Sequence, residues 1–404
     1  MLILFVASDT IPHVGGKSTH IVDLMEGLNH IGVKTDVISL SNLGRRKELF
    51  VKTLIAPLKF IRPDMFNFYF SKVWRKLLNN MVKQYCEEHK VDFISFQDAF
   101  AAYSSREALK KRQLVSVLTM HTYFGLESFP GNEDPRRLEV YNKVLEREME
   151  SLEIVDGIIG VDRRIEKHVQ ENLAKSQKKN KSVKVRHVTS IANFTNTSKF
   201  RIPSTYEKDK FRKEFGVADD SFVISCARRL VEKNGVINAV EAINMLDDNC
   251  ILLIAGDGPE KEMIQKYIGE EGLESRVKLL GSLDNERTRR LFMLSDVSVV
   301  PSITVNGLQE ATSISALEAM ACGLPTIVSN IGGLPEIIKN NETGILVDEN
   351  NPKLIADSIV ELKSDADYRS DIGSNARKYV EAKHSHIEVA KVYLKEFKRT
   401  KDFV

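Results

Sequence analysis

The stretch that decides the fold runs from Pro301 to Gly344, PSITVNGLQEATSISALEAMACGLPTIVSNIGGLPEIIKNNETG. Glu310 and Glu318 stand in it with seven residues between them. Small hydroxyl residues (Thr312, Ser313, Ser315) follow the first, and an apolar helical run from Ile314 to Met320 carries the second. Gly323 and Pro325 then end the helix, Thr326 to Ser329 has the pattern of a buried strand, and Gly332 and Gly333 make another turn. Loop, helix start, strand and glycine turn in this order point to a site for a phosphorylated, hydroxyl-rich ligand.

Working outward, the same alternation continues in both directions. Upstream, Phe222 to Ala227, Cys250 to Ala255, Val277 to Leu280 and Asp296 to Val300 are strand candidates, with a helix over Val236 to Met245. Gly256-Asp257-Gly258-Pro259 lacks the GxGxxG spacing, so it is a weak nucleotide signal and fits a plain β-to-α turn as well. Downstream, helices are expected over Pro352 to Lys363 and Ala366 to Glu381, and a last amphipathic segment spans His386 to Lys398.

The first half repeats the theme. Leu2 to Ala7 is a strand, Gly15 and Gly16 a turn, and Ser18 to Asn29 a helix whose Ile21, Leu24, Met25 and Leu28 share one face. Thr35 to Leu40 is the next strand, which completes a Rossmann-type opening. GGKST at Gly15 to Thr19 is not a Walker A loop, because Ile11 stands where its first glycine must be. Val91 to Ser95, Leu114 to Thr119 and Asp156 to Val161 are further strands, and Arg136 to Leu152 a charged amphipathic helix. Lys175 to His187 is expected to be an exposed basic loop running into a strand. His121 follows the Leu114 to Thr119 strand at its carboxyl end, where such folds bind ligands, although a lone histidine is more often structural. The polar segment from Thr195 to Phe215 holds the domain junction.

Bulk composition narrows the classes. The chain has 404 residues, enough for two or three domains, with 42% hydrophobic and 28% charged residues, as in a well-cored protein. A formal charge of +2 gives no bulk attraction to a polyanion, so no nucleic-acid partner is expected. Cys86, Cys226, Cys250 and Cys322 are scattered, as in reduced core thiols of a cytoplasmic protein. The opening MLILFVASD lacks a basic n-region and is expected to be a buried strand, and no apolar run reaches the ~18 residues of a membrane span. Aromatic and basic residues interleave from Phe50 to Tyr85. Such a surface can lie peripherally on the inner face of an anionic membrane; the preferred alternative packs the aromatics inward and leaves the charges solvated.

Taken together, the motifs resemble the family-4 retaining glycosyltransferases, the glycosyl transferases group 1. The resemblance rests on the GG-then-helix opening, TMH at Thr119 to His121, RRLVEKNG at Arg228 to Gly235, AGDGP at Ala255 to Pro259, the paired glutamates and IGGLPEI at Ile331 to Ile337. It implies an α/β protein of GT-B fold, two Rossmann-like doubly wound domains facing a cleft, with a C-terminal helix crossing back to the first domain. The domains would be residues 1–200 for the acceptor, 201–380 for the nucleotide sugar, and 381–404 for the returning helix.

By the same resemblance, Glu310 holds hydroxyls of the donor sugar and Glu318 the ribose diol, tasks that suit carboxylates. Thr312, Ser313 and Ile314 open the helix whose N–H groups face the diphosphate. Arg229 contacts that diphosphate and His121 lies near the donor sugar, making His121, Glu310 and Arg229 the catalytic set. Gly16 meets the diphosphate from the first domain. The pattern places a lysine five residues after the arginine; here Asn234 stands there and Lys233 one position earlier. A competing reading makes Ser315 and Glu318 a capping box.

The implied reaction moves a hexosyl or N-acetylhexosaminyl group from a nucleoside diphosphate sugar, a UDP-sugar by preference, to an acceptor hydroxyl with retention. Cell-envelope, polysaccharide or glycoconjugate synthesis would use such a step. No cofactor and no divalent metal is expected. The alternative is a catalytically silent sugar-nucleotide-binding partner of another transferase.

Overall fold

The computed structural model describes residues 1–12, 15–43, 53, 63–110, 114–123, 135–178 and 183–404, with only the backbone of 63–74, 110 and 135–140. It divides into two compact units, one of Met1–Ile191 with Val389–Val404 and the other of Ala192–Glu388.

The first unit is built on a six-stranded parallel sheet in the order β2-β1-β3-β4-β5-β6. Its strands are β1 (Leu2–Val6), β2 (Lys34–Ile38), β3 (Phe93–Phe96), β4 (Val115–Met120), β5 (Gly157–Gly160) and β6 (His187–Ser190). β3, β4 and β5 are buried along their whole length, which is why they are short, mostly apolar runs whose polar members, Ser95, Ser116 and Thr119, are small. Helices α1 (Gly16–His30), α2 (Pro63–Glu88), α3 (Ala99–Ser104), α4 (Arg106–Lys110), α5 (Pro135–Ile154) and α6 (Arg163–Lys178) connect the strands. β1 pairs with β2 on one side and with β3 on the other, so the winding reverses between β1 and β3. In an open α/β sheet that reversal opens a crevice at the carboxyl ends of the strands.

The second unit repeats the design with β7 (Phe222–Ala227), β8 (Cys250–Ala255), β9 (Val277–Leu279), β10 (Val297–Val300), β11 (Thr326–Ser329) and β12 (Ile345–Val347). Their order is β12-β11-β10-β7-β8-β9, and the reversal falls between β7 and β10. Around the sheet lie α7 (Thr205–Glu214), α8 (Val236–Asn244), α9 (Lys261–Glu270), α10 (Asn285–Leu294), α11 (Ile314–Ala321), α12 (Leu334–Ile337), α13 (Pro352–Ser364) and α14 (Ala366–Lys383). This is the GT-B architecture.

The last helix, α15 (His386–Asp402), supplies Val389–Val404 to the first unit, so the chain does return to its opening domain. Fully buried Tyr393 and Phe397 anchor it, with the Phe397 ring 5.6 Å from that of Phe93. Glu396 Oε2 lies 2.7 Å from His187 Nε2.

Two features differ from the sequence expectations. The helix α6 runs on to Lys178, into the stretch from Lys175 expected to be an exposed basic loop. Its buried stripe is only Ile165, Val169, Leu173 and Ser176 among charges, too narrow a signal to stand out. The first unit ends at Ile191 and not near residue 200, because the chain beyond it is tied to the second unit. Thr195 N–H donates to the His384 carbonyl (2.9 Å) and His386 N–H to that of Thr195 (2.9 Å). Much of the Phe50 to Tyr85 stretch, including 50–52 and 54–62, lies outside the described residues; what is described of it is the α2 backbone and side chains from Arg75 onward. No helix among the described residues is long and apolar enough to cross a membrane.

Candidate functional site

In the second unit the winding reversal brings two loops together, one after β7 and one after β10. The loop after β7 begins at Arg228 and lies on the GDGP turn. Arg228 N–H donates to the Ala255 carbonyl (2.9 Å), Leu230 N–H to that of Asp257 (3.0 Å), and Glu260 N–H to that of Leu230 (3.0 Å). A Cβ on Gly256 would sit 1.8 Å from the Arg228 carbonyl oxygen, and one on Gly258 2.2 Å from that of Leu230. The glycines of GDGP therefore permit this close backbone approach. The far end of the loop is equally tight: Gly235 has φ 57° and its Cβ would be 2.1 Å from the Pro301 carbonyl oxygen. We expect Gly235→Ala to cost about 3 kcal/mol or more, from left-handed strain plus backbone overlap, read as a fall in the urea midpoint.

Between the loops, Arg228 forms the centre of a buried polar network. Its side chain is 8% exposed and that of its partner Glu310 15%. Nη2 lies 2.8 Å from Glu310 Oε2, 2.7 Å from Asn234 Oδ1 and 3.0 Å from Ser302 Oγ. Nη1 donates to Glu310 Oε1 (3.2 Å) and Ser313 Oγ (3.1 Å). Nε is buried and has no hydrogen-bond partner among the described residues. Burial alone would raise the Glu310 pKa. The Arg228 charge and hydrogen bonds, with the fields of Lys233 and Arg229, outweigh it and hold the carboxyl below its ordinary value. Glu310 is thus a carboxylate with fixed orientation, suited to accepting hydrogen bonds and unsuited to donating a proton.

The other sequence-singled residues gather around this network. Arg229 is exposed and Lys233 half-buried, and both act on Glu310 through space. Asn234, standing where the pattern places lysine, is buried between Arg228 and the Arg229 carbonyl, to which its Nδ2 donates (2.8 Å). The Gly333 N–H donates to the Glu310 carbonyl (3.0 Å), which ties the IGG turn to the first glutamate. Ser313 is the N-cap of α11, its hydroxyl accepting from Ala316 N–H, while the Ser315 hydroxyl donates to the Ala227 carbonyl (2.9 Å). The cap lies two residues earlier than the Ser315 capping box requires, so Glu318 has no capping role and is a buried residue of the helix body. Thr312 accepts through Oγ1 from Asn193 N–H (2.9 Å) and through its carbonyl from Asn193 Nδ2 (2.6 Å). Ile314 is the first residue of α11. Arg228 is the participant the sequence reading missed. Its signal was an arginine pair with asparagine where lysine was expected.

In the first unit a second cluster lies at the β1/β3 reversal. Gly16 is the exposed first residue of α1, whose cap, Gly15, supplies no side-chain hydrogen bond. Lys17 pairs with Asp9 and, at 3.2 Å, with Asp98. Burial opposes the Lys17 charge, but the two carboxylates raise its pKa overall. Asp98 also caps α3 through Ala101 N–H (2.7 Å) and accepts from Ser8 N–H (3.0 Å). His121 follows β4 with Nε2 3.2 Å from Gln97 Oε1. Gln97 Nε2 in turn lies 2.8 Å from the Ser95 hydroxyl. The His20 ring meets His121 edge-on at 4.6 Å, and His20 Nε2 is 3.2 Å from the Tyr393 hydroxyl.

Burial, then the neighbouring His20 and Lys17, push the His121 pKa well below its ordinary value, so the imidazole is neutral at pH 7. A depressed histidine contributes to stability above its unfolded pKa of about 6.5 and loses that contribution as the pH falls below it. We therefore expect the wild-type melting temperature to fall more steeply on acidification through this range than that of His121→Asn. Parallel curves would contradict the assignment. Among the described residues no group of three or more potential ligands could hold a metal ion.

Comparison with known proteins adds two family-model matches to this geometry. Residues 14–183 match the model of Glycosyltransferase Family 4, and residues 207–379 match that of the glycosyl transferases group 1. An uncharacterized glycosyltransferase of Methanocaldococcus jannaschii is 35% identical over 211 residues, 52% of this chain and 53% of that protein. The GDP-mannose-dependent alpha-(1-6)-phosphatidylinositol monomannoside mannosyltransferase of Mycobacterium tuberculosis is 31% identical over 191 residues, 46% of this chain and 49% of that protein. These matches span about half the length of the relatives. Among solved structures, Anabaena HepE in complex with UDP and glucose aligns with a TM-score of 0.69 at 18% identity, covering 98% of this chain and 99% of that one. Sucrose-phosphate synthase from Thermosynechococcus elongatus gives the same TM-score, identity and coverage. At such identities the structural likeness speaks to the fold.

Proposed function

We propose that this chain, whose two halves carry glycosyltransferase domains on a GT-B fold, is itself a retaining glycosyltransferase that moves a sugar from a nucleoside diphosphate sugar to an acceptor hydroxyl. The observation that carries the reading is Glu310, ionised and oriented by Arg228 at the winding reversal of the second sheet. An oriented carboxylate can accept hydrogen bonds from two sugar hydroxyls. Glu318 is assigned to the ribose, and the N–H groups at Thr312, Ser313 and Ile314 to the diphosphate, where the helix dipole favours negative charge. Arg229 and Lys233 supply positive charge for the leaving group. Gly16 is assigned to the diphosphate and neutral His121 to the donor sugar.

In this mechanism the bond from the anomeric carbon to the diphosphate breaks as the acceptor hydroxyl attacks the same face, and the departing diphosphate takes the acceptor proton. Positioning and stabilisation of the leaving charge supply the rate, with no covalent nucleophile. The proposed donor is a UDP-sugar carrying a hexosyl or N-acetylhexosaminyl group. HepE, whose complexes contain UDP and UDP-glucose, supports that choice through a shared fold alone. The proposed setting is cytoplasmic synthesis of an envelope polysaccharide or glycoconjugate.

A screen of UDP-, GDP- and ADP-sugars with the purified chain tests the proposal through released nucleoside diphosphate, and NMR of the product reads the anomeric configuration. Release from none of them, with or without candidate acceptors, would leave only a silent sugar-nucleotide-binding role. An inverted product would remove the retaining mechanism.

A further inference from the structure

In the first unit a line of polar side chains runs from the last helix to His121. His20, in α1, is 1% exposed, and Tyr393, in α15, is fully buried. The His20 ring meets that of His121 edge-on, with centroids 4.6 Å apart and planes at 88°. His20 Nε2 lies 3.2 Å from the Tyr393 hydroxyl oxygen, and the two rings stand edge-on at 5.9 Å and 73°. Gln97, also fully buried, reaches His121 Nε2 at 3.2 Å. Burial raises the Tyr393 pKa against the pull of Thr119, which stands two residues before His121. The phenol therefore keeps its proton at neutral pH and has both an O–H and lone pairs to offer His20.

The second torsion of a histidine side chain is broad, so rotamer preference does not fix the plane of an imidazole and its neighbours must. For His20 that one torsion governs two contacts. Turning the ring moves Nε2 away from the Tyr393 oxygen and, in the same motion, tilts the edge that meets His121. The hydroxyl thus has a use that filling space does not require. Phenylalanine at 393 would occupy nearly the same volume on α15 and make no hydrogen bond to His20.

We infer that Tyr393 is a positioning residue for His121: its hydroxyl holds the plane of His20, and the edge of His20 holds the His121 ring toward the donor sugar. The helix that closes the chain thereby serves the site as well as the core of the first unit. The catalytic consequence rests on the transferase reading; the line of contacts rests on the side chains alone.

The test uses the full chain, with Tyr393→Phe as the probe and Thr400→Val as its control. Thr400 is also buried on α15, and its hydroxyl donates to the Glu396 carbonyl of the same helix (2.9 Å). Tyr393→Phe is expected to lower kcat about tenfold and leave KM for the donor unchanged, because a slight misplacement at the reacting centre costs rate and spares uniform binding. His20→Phe breaks the same contact from its other end and is expected to give a similar loss, which guards against misfolding of the first variant. Thr400→Val is expected to lower the melting temperature and keep its kcat. In the residual turnover of a His121→Asn chain, Tyr393→Phe is expected to cost nothing further, since residues that act as a unit do not add.

NMR of chain labelled at histidine reads the geometry directly. The His121 ring resonance, identified by its absence from His121→Asn, moves in Tyr393→Phe and stays in Thr400→Val. A folded Tyr393→Phe or His20→Phe with wild-type kcat, the same loss in Thr400→Val, or the full loss repeated in His121→Asn overturns the inference, as does an unmoved His121 resonance. If the wild-type chain turns over no donor sugar, the transferase reading falls, and the resonance alone decides whether Tyr393 holds His20 against His121.

Discussion

Glu310→Gln lowers kcat/KM for sugar transfer by about 10²–10³-fold, with a smaller fall in the unfolding midpoint than Glu310→Ala. The amide keeps the size and planarity of the carboxylate and still offers one oxygen to Arg228. It loses the second acceptor oxygen and the negative charge that together hold the donor sugar in this reading. Alanine is the poorer probe. The Arg228 and Glu310 side chains are 8% and 15% exposed, and removing one partner of a pair buried to that degree leaves a desolvated charge. That costs about 3 kcal/mol or more, so lost activity in Glu310→Ala would mix with lost fold. Turnover of the donor, measured beside a thermal melt, separates the two effects. A glutamine variant that folds and transfers at the wild-type rate removes Glu310 from the mechanism.

Much of this architecture was legible in the chain because parallel strands buried on both faces leave mainly apolar runs. Phe222 to Ala227 and Cys250 to Ala255 coincide with β7 and β8. The helix carrying Glu318 was legible because Ile314, Leu317 and Ala321 fall at helical spacing. What sequence could not show is which atoms meet across strands. Arg228 and Glu310 are 82 residues apart, and their contact depends on β7 and β10 being neighbours. Lys17, Asp9 and Asp98 join by the same logic at β1 and β3. The GDGP glycines were visible as a turn, but their tight contact with Arg228 and Leu230 depends on the neighbouring β7 loop. The contacts among His20, His121 and Tyr393 join α1, the end of β4 and α15, so no local motif marks them.

The second large effect concerns the missing lysine. Arg228→Ala is expected to reduce transfer about 100-fold, and Asn234→Lys placed in the same chain to restore a substantial part. Asn234 brings no charge to a phosphate, and its oxygen is held by Arg228 Nη2 at 2.7 Å and one of its two N–H donors by the Arg229 carbonyl at 2.8 Å. The cation adjoining Glu310 comes instead from Arg228, whose guanidinium also reaches Ser313, the cap of α11. Alanine at 228 removes the charge that offsets the burial of Glu310, so the Glu310 pKa rises and the acid limb of the kcat/KM profile moves to higher pH. A lysine at 234 returns a positive charge to the same pocket and brings the limb back down. In the presence of Arg228, by contrast, Asn234→Lys adds a second buried cation and deletes two hydrogen bonds, so that single variant loses stability. Transfer unchanged in Arg228→Ala, or no recovery and no return of the acid limb in the double variant, would show that Arg228 does not stand in for the lysine.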